Sequence, residues 1–158
     1  MVESGRDSLE RVKEVNVVLS GECQHNIDAK GRMTVPVKFR EDLGEKFAIT
    51  KGLDNCLFVF NQKTWKELEE KINSLSLADS RDIKRLLIGS KEELEIDKQG
   101  RILIPANLRK FADLEKDVIF VGLGTRAEIW SQSKWDEINS KFMSKPDEVA
   151  AKMEALGI

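Results

Sequence analysis

Two ten-residue stretches decide the fold: IDAKGRMTVP at residues 27–36 and IDKQGRILIP at residues 96–105. They lie 69 residues apart, and each contains an apolar residue, Asp, two variable residues with a Lys among them, Gly, Arg, a strand-like run and Pro. A recurrence of this kind within one chain indicates a tandem repeat, and we expect two copies of one unit of about 50 residues.

The glycine of each stretch, Gly31 or Gly100, suits a turn whose backbone needs a positive φ. Apolar residues alternate around it, which predicts a β-hairpin with Asp entering the turn and Arg leaving it. The proline, Pro36 or Pro105, is expected at the first position of a short helix, which Gly44 stops in the first copy. Further strands are predicted over 46–50, 56–60, 117–121 and 127–130.

Each unit is predicted to close with an amphipathic helix, capped by Asn61 in the first copy and by Ser131 in the second. The large apolar residues of both helices fall on one face, which is typical of core packing rather than of base stacking by tryptophan. They are Trp65, Leu68 and Ile72 in the first copy and Trp135, Ile138 and Phe142 in the second.

The chain divides by these patterns into five segments: a flexible N-terminal arm over 1–18, repeats over 19–76 and 93–142, a connecting helix over 77–92 and a C-terminal helix over 143–158. On the connecting helix, Asp79 is a candidate N-terminal cap, and Gly89 is expected to end the helix. The basic residues of this helix are expected either to face solvent or to contact phosphate. The apolar stripe of the C-terminal helix docks on its own chain or on a neighbouring subunit. That stripe contains Val149, Met153 and Leu156.

The predicted strands and helices indicate an α+β protein with mainly β structure. With 158 residues and 41% hydrophobic residues, the chain can bury a core, but each half alone is marginal, so we expect the halves to share one core. No apolar run is long enough to span a bilayer and the N-terminus lacks a signal-peptide pattern, so we expect a cytoplasmic protein.

Metal binding, cofactor binding and catalysis are not expected. Cys23 and His25 make at most half of a zinc site, and a disulfide with Cys56 is not expected in a reducing compartment. The sequence has no nucleophile with a base at a recognisable spacing, no phosphate-cradling glycine loop and no cluster of metal ligands.

Positive charge is concentrated in the repeated segments. The chain has a formal charge of −2, yet residues 28–40 and 97–110 each carry four basic side chains and one acidic side chain. Each segment is therefore +3, and the remainder is −8. A duplicated positive element on an acidic protein predicts a localised phosphate-binding surface.

The paired motifs resemble those of the MraZ family of bacterial transcriptional regulators. The resemblance rests on Gly21-Glu22, on HNIDAKGR at 25–32 and on DKQGRILIP at 97–105, and it covers about residues 19–142. It implies two AbrB-like swapped-hairpin units that share a pseudo-twofold barrel. It also implies a nucleoid-associated, ring-shaped homo-oligomer that binds direct repeats of double-stranded DNA in the promoter of its own cell-division and cell-wall gene cluster.

The arginines of the motifs are expected to contact phosphates or to make forked bonds to guanine. The lysines are expected to contact phosphates. The aspartates are expected to hold the turn or to orient the arginine. The alternative is an exposed ion pair that only staples each hairpin. The arginines of the short helices either contact the DNA backbone or form a solvated face. The candidate residues are Asp28, Lys30, Arg32, Arg40, Asp97, Lys98, Arg101 and Arg109.

A different functional class is an oligomerisation or antitoxin-like module that binds a protein partner on the same fold. For such a module, the C-terminal helix is the expected working surface.

Overall fold

The computed structural model describes residues 19–158; the arm predicted for residues 1–18 lies outside the described residues. The strands are β1 (Leu19–Asn26), β2 (Arg32–Thr34), β3 (Lys46–Lys51), β4 (Leu57–Asn61), β5 (Glu92–Glu95), β6 (Arg101–Leu103), β7 (Asp117–Gly124) and β8 (Ala127–Ser131). The helices are α1 (Val37–Leu43), α2 (Gln62–Asn73), α3 (Leu77–Ile83), α4 (Ala106–Phe111), α5 (Gln132–Met143) and α6 (Pro146–Ala155).

The two copies exchange their first strands. Six antiparallel strands form one sheet in the order β1-β7-β8-β4-β3-β5, so β1 of the first copy lies on β7 of the second, and β5 of the second lies on β3 of the first. The remaining strands, β2 and β6, pair with each other and form a separate two-stranded ribbon. The α+β class with tandem repeats is thereby confirmed.

The pairing differs from the barrel that the resemblance implies. Within residues 19–158, no ladder joins β1 to β5, so the strands form an open sheet and a separate ribbon. The β-hairpin predicted within each copy is also shorter than expected. In the first copy it consists of the turn and one bridge, Ile27 to Met33, after which the strands diverge to partners in the other copy.

The six-stranded sheet is covered on both faces. Successive side chains of a strand point to opposite sides, so each strand contributes to the packing on both faces. On one face, Phe47, Ile49 and Phe120 pack with the inner residues of the ribbon and with the short helices α1 and α4. On the other face, Ala48, Phe58 and Ile119 pack with Trp65 and Ile72 of α2. The ribbon and the long helices therefore lie on opposite sides of the sheet.

The long helices begin as predicted. The Asn61 side chain accepts a hydrogen bond from Thr64 N at 2.8 Å, and the Ser131 hydroxyl accepts one from Lys134 N at 3.2 Å. Trp65 is buried against Phe60, which agrees with its assignment to the core. Phe142 is different: 43% of it is exposed, whereas Trp135 and Ile138 pack against the apolar cluster on that face of the sheet.

The connecting segment departs from its predicted form. Its helix α3 begins two residues earlier than Asp79, because the Ser76 hydroxyl caps it by accepting from Asp79 N at 3.2 Å. The last turn, Lys84–Ile88, is π-helical rather than α-helical, and Gly89 follows it with an ordinary negative φ. The short helices differ by one residue as well, since Pro36 and Pro105 precede the first helical residue rather than occupy it.

None of the helices in the described part of the chain combines the length and the apolar character needed to cross a bilayer.

The exchange of strands predicts that both copies unfold together. Phe39 of α1 stacks on Phe120 of β7 with ring centroids 5.2 Å apart, and both rings are buried. We expect Phe120→Ala to lower the free energy of unfolding by about 3–5 kcal/mol. Tryptophan fluorescence during denaturation measures this loss in each copy separately. Trp65→Phe leaves the tryptophans of the second copy as the probe, and Trp130→Phe with Trp135→Phe leaves the tryptophan of the first copy. In either background, a fluorescence midpoint that separates from the midpoint followed by far-ultraviolet circular dichroism on the same variant would contradict the shared core.

Candidate nucleic-acid interface

Each repeated motif folds into a turn that its aspartate organises. In the first copy, Asp28 Oδ1 accepts hydrogen bonds from Lys30 N at 3.0 Å and Arg32 N at 2.9 Å. In the second copy, Asp97 Oδ1 accepts from Gln99 N at 2.8 Å and Arg101 N at 2.9 Å. The backbone closes both turns in the same way, with the amide of the aspartate donating to the carbonyl of the arginine.

The other carboxylate oxygen binds the arginine side chain. Arg32 Nε donates to Asp28 Oδ2 at 2.8 Å, and Arg101 Nε donates to Asp97 Oδ2 at 3.2 Å. The aspartate therefore both holds the turn and orients the arginine, so the two roles considered from the sequence occur together.

These contacts favour the ionised carboxylate. The hydrogen bond from the Arg32 backbone amide is the main cause that lowers the pKa of Asp28, and the guanidinium lowers it further. The Arg101 amide and then the Gln99 amide lower the pKa of Asp97 in the same way. The turns are therefore organised around a negative charge at neutral pH.

The ion pairs leave both arginine side chains partly exposed. About a third of each side chain is exposed, 33% for Arg32 and 29% for Arg101. Within residues 19–158, the side-chain hydrogen bonds of these arginines all run through Nε. In this part of the chain, the terminal nitrogens, which are the donors that match a phosphate or a guanine edge, therefore make no hydrogen bond within the protein.

Both arginines lie on the outer face of the ribbon. In the register of β2 and β6, Met33 is opposite Ile102, and both are 1% exposed because they point into the core. Their neighbours along the strands point the other way. Sequence reasoning missed that Thr34 and Leu103 share this outer face, although alternation from the arginines would have identified them.

Arg40 and Arg109 have a role that the sequence did not predict. Arg40 Nε donates to Val35 O and Arg109 Nε to Ile104 O, each at 2.9 Å, so both are half-buried. The guanidinium of Arg109 lies over Gly31 of the other copy, where an added Cβ would be 2.6 Å from Cζ. Arg40 lies over Gly100 in the same manner. Each turn is thus supported by an arginine from the opposite copy.

The two turn lysines, Lys30 and Lys98, are exposed beside the motif arginines. Trp65 and Trp135 belong to the helices on the opposite face of the sheet, so they cannot stack on a base that the ribbon contacts.

The histidine and the cysteines do not form a metal centre in the described residues, where no group of three potential ligands has a suitable arrangement. Burial and then the charge of Arg40 lower the pKa of His25. Burial raises the pKa of the Cys56 thiol, which makes it a poor nucleophile at neutral pH.

Comparison with known proteins gives a family match over both copies. A family model described as "MraZ protein, putative antitoxin-like" matches residues 18–86 and again residues 87–156. The chain is also 52% identical over 143 residues to a protein of Thermoanaerobacter sp. (strain X514) named transcriptional regulator MraZ, an alignment that covers 89% of this chain and 100% of the relative.

Two further relatives carry the same name. The protein of Acetivibrio thermocellus is 51% identical over 140 residues, with 87% of this chain and 98% of the relative covered. The protein of Carboxydothermus hydrogenoformans is 52% identical over 135 residues, with 84% and 94% covered.

The support of one turn by the opposite copy can be tested at Gly31. Its φ of +88° makes Gly31→Ala cost about 1–2 kcal/mol in stability before any clash with Arg109. The matched control is Gly124→Ala, which has a φ of +93° but meets nothing within 4 Å. We expect thermal denaturation to show a larger loss for Gly31→Ala, and this excess should vanish in an Arg109→Ala background. Equal losses at both glycines would contradict the packing of Arg109 on the turn.

The charged turns predict a dependence of stability on pH. Because the folded-state pKa values of Asp28 and Asp97 are lowered, their stabilisation is fully present above the unfolded value of about 4. It is lost as the pH falls through the folded values. We expect Asp28→Asn with Asp97→Asn to reduce stability most at pH 7 and progressively less below pH 4, measured by urea denaturation. Glu67→Gln, on the exposed side of α2, is the control, and a deficit that does not change with pH would contradict the role of the charge.

Proposed function

The chain belongs to the MraZ family of transcriptional regulators, which are not enzymes, and on this premise we propose that it binds double-stranded DNA through the outer face of the β2–β6 ribbon. The observation that carries the proposal is the pair of guanidinium groups, Arg32 and Arg101, held on that one face by Asp28 and Asp97.

The shape of the ribbon supports this proposal. The major groove of B-DNA is about 12 Å wide and admits a two-stranded β-ribbon. The two arginines belong to different strands and point away from the core, so a groove that receives the ribbon meets both. Their terminal nitrogens would bind phosphate oxygens or O6 and N7 of guanine, and a forked bond to guanine contributes roughly 1–3 kcal/mol of discrimination.

The distribution of charge supports the same face. The two motif segments carry +3 each, whereas the rest of the chain carries −8. Lys30 and Lys98 would add contacts to phosphates beside the arginines. Arg40 and Arg109 use Nε within the protein, so a contact with DNA would come from their remaining nitrogens while they support the turns.

The resemblance and the duplication support a more specific function. The DNA would be a set of direct repeats in the promoter of the chain's own cell-division and cell-wall gene cluster, read at the nucleoid in the cytoplasm. A ring-shaped homo-oligomer would present many ribbons at once, and linked contacts would raise affinity by roughly 10² to 10⁴ over a single contact.

The same proposal extends to the architecture. The exchange of β1 and β5 between copies supports the assignment of two swapped-hairpin units, with repeats over 19–76 and 93–142, a connecting segment over 77–92 and a C-terminal helix over 143–158.

A protein partner is the second candidate, and one observation favours it. The apolar stripe of α6 is exposed, with Val149 41%, Met153 42% and Leu156 76% accessible. A family member that acts by binding another protein would use this stripe, and the ribbon would then be incidental.

DNA binding discriminates between the candidates. We expect the parent chain to bind the DNA upstream of its own gene with an affinity that falls with salt, at a log-log slope near −0.9 for each phosphate contacted. The double variant Arg32→Ala with Arg101→Ala should lose roughly 1–3 kcal/mol of binding free energy for each arginine. Replacement of both arginines by lysine should keep the salt slope but lose the preference for one DNA sequence. Fluorescence anisotropy with labelled duplexes measures both.

The matched control for charge is Lys66→Ala with Lys71→Ala, which removes two positive charges from α2 on the opposite side of the sheet. This control should bind as tightly as the parent. If the arginine variant bound as tightly too, the site assignment would fail, and if the parent bound no DNA, the protein-partner candidate would gain.

A further inference from the structure

The two strands of the ribbon carry an arginine at the same place on their outer face but differ at the residue two places further on, and the adjoining turns differ as well, with AK at 29–30 against KQ at 98–99. Asp28 and Arg32 have identical counterparts in Asp97 and Arg101, and the supporting Arg40 corresponds to Arg109. The residue two places after the motif arginine is Thr34 in the first copy and Leu103 in the second. Both side chains lie on the outer face.

The register gives each arginine a different neighbour. Arg32 of β2 is directly opposite Leu103 of β6, and Arg101 is directly opposite Thr34. Side chains of directly opposite residues have Cβ atoms about 4.5–5.5 Å apart, so each pair contacts adjacent features of a bound surface.

The Leu103 side chain does not pack in the core. It is 57% exposed, whereas its neighbours Ile102 and Ile104 are 1% and 0% exposed. It is therefore a branched apolar side chain on the same face as two guanidinium groups.

We propose that Leu103 and Thr34 make the ribbon read DNA in one direction, with Leu103 packing against the 5-methyl group of a thymine next to the base pair that Arg32 contacts. This inference rests on the proposed function. The thymine methyl is the one apolar group that the major groove displays, and an apolar side chain is its usual partner. Thr34 offers a hydroxyl and a smaller methyl beside Arg101, so that half of the ribbon discriminates less.

The consequence concerns the symmetry of the site. A protein with two equivalent halves matches a palindromic element and binds it equally in both orientations. Because the Arg32–Leu103 half and the Arg101–Thr34 half differ, the preferred element is not a palindrome, and inverting it relative to the chain weakens binding.

The test removes the thymine methyl without changing the base pairing. A duplex with a single element is first obtained by selecting the full chain's preferred sequence from random DNA. Each thymine is then replaced in turn by deoxyuridine, which lacks only the methyl group. At one thymine beside a selected guanine, we expect the parent chain to lose about fourfold in affinity, which corresponds to one buried methyl group.

The variants assign that methyl to a residue. Leu103→Ala should bind the thymine duplex about fourfold or more weakly than the parent and should not respond to deoxyuridine. Leu103→Thr, which makes the two halves alike at this position, should select a more nearly palindromic element, and Thr34→Leu should create a second methyl response. Leu123→Ala is the matched control, because Leu123 is also an exposed leucine on a strand, 49% accessible, and lies on β7 outside the ribbon.

The outcomes separate the two levels of the proposal. If the parent binds duplex DNA but no deoxyuridine substitution weakens it, or if Leu103→Ala still responds, the role of Leu103 is wrong and the proposed function stands. If the parent binds no duplex in the selection, the proposed function fails and this inference fails with it. The deoxyuridine scan of the parent does not depend on the folding of any variant.

Discussion

Two reciprocal backbone hydrogen bonds hold the centre of the molecule together: Val35 N donates to Gly100 O at 2.9 Å, and Ile104 N donates to Gly31 O at 3.0 Å. Each bond joins the strand leaving one motif to the glycine of the opposite motif. The arginine that follows on each short helix then lies over the same glycine. Each turn is therefore braced by the other copy, and the spacing of the two motif arginines is set by the shared core rather than by either hairpin.

Much of this arrangement could be predicted from the sequence, because the informative residues act locally. The Asp-to-Arg spacing of four identified the turns, the positive φ of Gly31 and Gly100 followed from their place in them, and Asn61 and Ser131 marked the starts of the long helices. What could not be predicted was the partner of each strand. The side chains of Leu19–Asn26 alternate between the two faces of the sheet whichever strand lies beside them. The pairing of β1 with β7 of the other copy is therefore a property of the whole chain.

The same distinction applies to the candidate site. Asp28 and Arg32 could be assigned from one motif, because they contact each other across a turn. The function of Arg40 could not, because its partner Gly100 is 60 residues away in the sequence. Thr34 and Leu103 were overlooked because their significance lies in facing Arg101 and Arg32 across a ladder between the copies. Their chemistry alone is unremarkable for a strand.

The pairing of β1 with β7 also affects how the protein is made. Its register joins Leu19 to Gly124 and Asn26 to Asp117, so the first described strand is translated roughly 100 residues before its neighbour in the sheet. At about 5–20 residues per second, the ribosome needs several seconds to deliver that neighbour. During this interval the nascent chain displays an unpaired strand together with apolar residues such as Leu19 and Ile27, which are nearly inaccessible in the finished protein. Pairing of the first described strand is therefore a late step in the synthesis of the chain, and until then its unpaired edge is open to aggregation.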